Sequence, residues 1–164
     1  VNGFYALLKT AHVLSAAILF GAGLGTAFFC WFGSRAALRS GDLGALRQVL
    51  RFTVIADYCL TAPAVVFQVA SGAVLMRHLG WAWVSEWSIA VYSLFVLTGA
   101  CWVPVIELQQ RLSREAARAP SIEALPARFH RWFQWWLVLG VPAFTAVVVL
   151  FYLMVAKPLR VAGI

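Results

Sequence analysis

Acidic side chains are scarce in this sequence. Six aspartates and glutamates stand against thirteen lysines and arginines in 164 residues, only 12% of the chain is charged, and 63% is hydrophobic. That leaves too little polar surface for a soluble domain of this size and specifies a membrane protein. Soft metal ligands are also few. The methionines are Met76 and Met154, too sparse for a copper route, and Cys30, Cys59 and Cys101 are too far apart in sequence for a zinc or iron–sulfur site. The chain has no P-loop, nucleophile elbow or HExxH helix, so no hydrolytic signature is present.

What the chain does have is apolar runs. Four stretches, about 4–32, 52–76, 87–110 and 132–156, are each long enough to cross the hydrocarbon, which takes roughly 20 residues. The first has no basic leader or small-residue cleavage site and reads as a retained span. The expected architecture is all-α, a four-transmembrane-helix bundle with residues 1–164 forming a single integral membrane domain. Arg35, Arg39, Arg47 and Arg51 flank the first connection, and Arg111, Arg114, Arg118, Arg128 and Arg131 the third. By the positive-inside rule these connections are cytoplasmic, and both termini lie on the outer, periplasmic side. The net charge of +7 is then a polybasic face toward anionic lipid rather than a nucleic-acid footprint. Tryptophans agree, with Trp81, Trp83 and Trp87 at the outer boundary and Trp31, Trp132, Trp135 and Trp136 at the inner one.

Punctuation fixes the connections. Ser40-Gly41 reads as a helix stop and Asp42 as the N-cap of a helix leading into the second span. The third connection carries arginine and glutamate in helical register, breaks at Pro120 and Pro126, and is expected along the membrane surface. Pro63, Pro104 and Pro142 lie inside spans, where each removes a backbone donor and favours a kink or a freed carbonyl.

In lipid, small and polar residues mark the inward faces. Stepping at about 100° per residue groups His12, Ala16, Leu19, Gly23, Thr26 and Cys30 in the first span, with Gly21 and Gly25 opposite as a surface for a second helix. The second span groups Asp57, Thr61, Ala64, Gln68, Ser71 and Leu75. The third groups Ser88, Tyr92, Phe95, Gly99, Trp102, Ile106 and Gln109, and the fourth Gln134, Val138, Val141, Thr145, Val148 and Tyr152. At matching depth, Lys9, His12, Ser15, Gln68, Ser71 and Tyr92 are expected to converge on an outward-facing pocket.

His12 is the one histidine inside a span, with His78 and His130 expected in loops. About eight residues from the outer end, or roughly 12 Å deep, it is too far in to reach water. A neutral imidazole there serves as an axial haem ligand, a proton relay or a helix-to-helix hydrogen bond. Lys9, one turn above, either snorkels to the interface or anchors a ligand carboxylate. Asp57 and Glu107 are proton-carrying or ion-pair candidates at the inner end.

The motifs "LLKTAHVLSAAILFGAGLGTAFF", "ADYCLTAPAVVFQVASG" and "CWVPVIELQQRL" resemble, over nearly the whole chain, a family of bacterial predicted integral membrane proteins known only as a domain of unknown function. The Lys9-x-x-His12 pattern of the first span also resembles, distantly, HemJ-type protoporphyrinogen oxidases and CopD-type copper-resistance membrane proteins. That likeness implies a histidine-rooted, haem-binding helical bundle and reaches His12 and Lys9; the leading expectation for the chain is a haem b or tetrapyrrole-binding redox protein of the bacterial inner membrane. His12 would be its iron ligand, and Lys9, Gln68 and Tyr92 its pocket residues. The competing expectations are a non-catalytic subunit of a larger membrane complex or homo-oligomer, with His12 only bonding helices together, and a small transporter.

Overall fold

The computed structural model describes residues 3–157. Among them the architecture is all-helical: α1 (Gly3–Ser40), α2 (Leu43–Ala56), a π turn (Asp57–Thr61), α3 (Ala62–Leu79), α4 (Glu86–Arg118) and α5 (Ala127–Ala156). Because α2, the π turn and α3 run on as one rod, four helical rods are long and apolar enough to cross a membrane. They alternate in direction as two antiparallel hairpins, α1 with the α2–α3 rod and α4 with α5. Between the hairpins the backbones come closest where α2 meets α4, with a sparser approach of α1 to α5.

The first turn follows its punctuation. Gly41 takes φ of 71°, which its missing side chain permits, and Asp42 accepts the Ala45 N–H at 2.9 Å as the N-cap of α2. The two helices of this hairpin then pack tightly. A Cβ on Gly33 would lie 2.9 Å from Val49 Cγ2, so any larger residue there would have to push the Val49 side chain aside. Pro63 explains the π turn. Its ring would collide with the carbonyl of Cys59, four residues back, and widening the turn relieves the clash, with Ala62 N–H reaching back five residues to the Asp57 carbonyl.

All four rods overrun the apolar stretches, mostly at one end. The basic end reaches Ser40 on α1, Leu43 on α2, Arg118 on α4 and Ala127 on α5. The third connection therefore departs from expectation: its Arg/Glu segment continues α4 rather than lying along a surface, and only 119–126 breaks the helix. The apolar core sits at this end. Leu46, Leu50, Leu112, Ala116 and Phe129 are all at most 1% exposed, and all lie outside the four apolar stretches. In water, burying such side chains drives association; between lipid tails it gains little. Arg47 closes the end by donating Nε–H to the Ala116 carbonyl at 2.9 Å and Nη2–H to that of Ala119 at 2.7 Å. It thus satisfies acceptors that α4 leaves open where its dipole is negative.

One stripe is misread from sequence. Gln134, Val138, Val141, Thr145, Val148 and Tyr152 of α5 are all exposed, whereas Phe129, Phe133, Trp136, Ala146 and Leu153 turn inward. Thr145 Oγ1 donates to the Val141 carbonyl of its own helix at 2.9 Å, so it has no need of an inward neighbour. His78 and His130 are also not in loops. His78 lies in the last turns of α3, stacked on Tyr5 at 5.5 Å between ring centroids, and His130 in the first turn of α5.

Candidate functional site

The first two polar stripes do face each other. Ser15 and Cys30 are buried on α1 and Ala64, Ser71 and Leu75 on α3, with His12 and Gln68 half-buried beside them. Polar side chains at this depth have no water to bond, so they bond across the hairpin. Ser15 Oγ donates to the Ala64 carbonyl at 3.2 Å, and Gln68 Nε2 donates to the backbone carbonyl of His12 at 3.1 Å.

The imidazole itself meets Ser71, with Nδ1 and Oγ 2.7 Å apart. The Ser71 hydroxyl has one hydrogen and two close acceptors, this nitrogen and the Phe67 carbonyl, 2.5 Å away and one turn back on α3. Turned to the carbonyl it accepts from the imidazole, the arrangement in which His12 carries its proton on Nδ1 and Nε2 keeps a free lone pair. A Cβ on Gly72 would lie 3.4 Å from His12 Cε1, so the ring rests against bare backbone. No side chain among the described residues bonds to Nε2.

The other expected pocket residues do not join this cluster. Lys9 is exposed, its Nζ 5.7 Å from the Tyr5 ring centroid, and it borders a shallow outward hollow with Thr10, Val13 and Leu14. Tyr92 is exposed on α4 and donates to Met76 Sδ at 3.6 Å. Glu107 sits on the outer surface, paired with Arg111 at 2.8 Å and Arg114 at 3.4 Å. Asp57, by contrast, is buried at the π turn and accepts from Thr61 Oγ1 at 3.0 Å. No cluster of three or more metal-binding His, Cys, Asp or Glu side chains occurs among the described residues.

Sequence reasoning brought Ser71 to the histidine without seeing its second contact, with the Phe67 carbonyl. The signal was available, since a serine in a membrane helix tends to bond the carbonyl four residues back. Gly21 and Gly25 are both exposed, and a Cβ on either would meet nothing within 4 Å. No helix among the described residues uses that face.

A family model described as "Predicted integral membrane protein (DUF2269)" matches residues 6–158. No curated protein and no solved structure matches the chain.

Proposed function

We propose, for a chain that belongs to the DUF2269 family of predicted integral membrane proteins, a tetrapyrrole-binding function with His12 Nε2 as axial ligand to a b-type haem. The observation that carries this reading is the Ser71 contact. A histidine that binds iron is neutral and bonds its second nitrogen to a fixed acceptor, which sets the tautomer and holds the ring. Gln68 steadies the same turn through the His12 carbonyl, and Lys9, one turn away on α1, would meet a propionate. Haem bound there would supply one-electron transfer. The arginine-rich end would face the cytoplasm and the His12 end the periplasm of a bacterial inner membrane.

A second reading rests on the unpartnered Gly21/Gly25 face. In it the chain is a non-catalytic subunit packed through α1 against a larger membrane complex, and His12 only fastens α1 to α3. Oxidised and reduced absorption spectra of protein purified from haem-replete cells separate the two. The haem reading expects a Soret band that is lost in His12→Ala and weakened and shifted in Ser71→Ala. A colourless wild type overturns it.

A further inference from the structure

A second polar cluster lies nearer the basic end, where α1, α2 and α4 surround the π turn. Asp57 is 5% exposed, Gln109 4% and Thr61 5%. α1 contributes Cys30 and Ser34, α2 contributes Thr53, and α4 contributes Gln109, whose side chain comes alongside the Asp57 carboxyl. Of these neighbours only Cys30 is titratable. The ion pairs among the described residues involve Glu107 and Glu115 and leave Asp57 out.

Hydrogen-bond accounting leaves three buried atoms of this cluster open. Asp57 Oδ1 accepts from Thr61, but Oδ2 has no partner, and neither do Gln109 Oε1 and the Ser34 hydroxyl. A buried carboxylate oxygen without donor or counter-charge is costly, and a proton on it, with the Gln109 amide oxygen turned toward it, satisfies both acceptors. We propose that Asp57 and Gln109 form a buried proton-binding site, with the proton on Oδ2 donated to Gln109 Oε1. When the proton leaves, the Gln109 amide turns end for end and offers Nε2–H to the carboxylate, so the pair is satisfied in both states. The π turn, by taking up an extra residue beneath Pro63, aims Asp57 at α4 instead of around the side of the rod.

The test is infrared spectroscopy of the full chain in nanodiscs. Asp42 and Asp57 are the only aspartates, so an Asp42→Asn protein labelled with carbon-13 aspartate reports on Asp57 alone without disturbing the site. The expected result is a protonated-carboxyl C=O band above amide I that shifts in deuterium oxide and disappears on alkaline titration. Gln109→Leu should move that band to higher frequency by removing its acceptor. Absence of the band at every pH where the protein stays folded overturns the proposal. A band that emerges only when sodium is withdrawn, or one that Gln109→Leu leaves unmoved, does so equally.

Discussion

Replacing Phe129 with alanine tests where this bundle gets its stability. Phe129 is fully buried and lies before the apolar stretch of α5, among Leu46, Leu50, Leu112 and Trp136. A buried phenylalanine cut to alanine loses its transfer free energy and leaves a cavity, together about 3–5 kcal/mol. Phe28 is the control. It is 62% exposed on the apolar part of α1 and packs at a tilt against Phe32, ring centroids 4.6 Å apart. Facing lipid in either state, it gives up little more than that ring contact, about 0.5–1.5 kcal/mol. Helicity followed by circular dichroism during SDS titration in mixed micelles measures both. If the two variants lose the same stability to within about 1 kcal/mol, the basic end is not a water-driven core and the reasoning fails.

Arg47→Ala should cost about 1–2 kcal/mol in the same titration, because it removes two charge-assisted bonds at the end of α4, discounted for exposure. Arg47→Lys should recover only part, since an ammonium cannot fork to two carbonyls. Asp42→Ala should cost about 1 kcal/mol and Asp42→Asn almost nothing, as asparagine caps equally well; a clear loss in the asparagine variant would contradict the cap. Gly33→Ala should destabilise by about 1–3 kcal/mol through its clash with Val49. Adding Val49→Ala should return part of that loss, and a double variant no better than the single would point to another cause.

What the sequence made legible follows from which side chains had needs. His12, Ser15, Gln68 and Ser71 each carry polar atoms that lipid cannot satisfy, so their spacing located the α1–α3 face correctly. On α5 the only small hydroxyl in the supposed stripe serves its own helix, and the valines around it are indifferent to lipid or protein, so the periodicity there had no force behind it. The overruns at the basic end escaped an apolar scan because α2 is amphipathic, burying Leu46, Val49, Leu50 and Thr53 while Arg47, Gln48 and Arg51 stay exposed. Arg47 looked like one more loop charge. Its carbonyl partners lie 69 and 72 residues away, beyond the reach of any local pattern.

The π turn has a consequence for how the chain tolerates change. A rod with one surplus residue between α2 and α3 behaves like two shafts joined by a coupling, so each half keeps its own rotational phase. α2 is set by α1 and α4 together, α3 chiefly by α1. Closing the turn into regular α-helix with every residue retained, as Pro63→Ala would permit, would lock the shafts together and swing one by roughly 100° against the other, turning either the Asp57 cluster or the His12–Ser71 pair away from its partner.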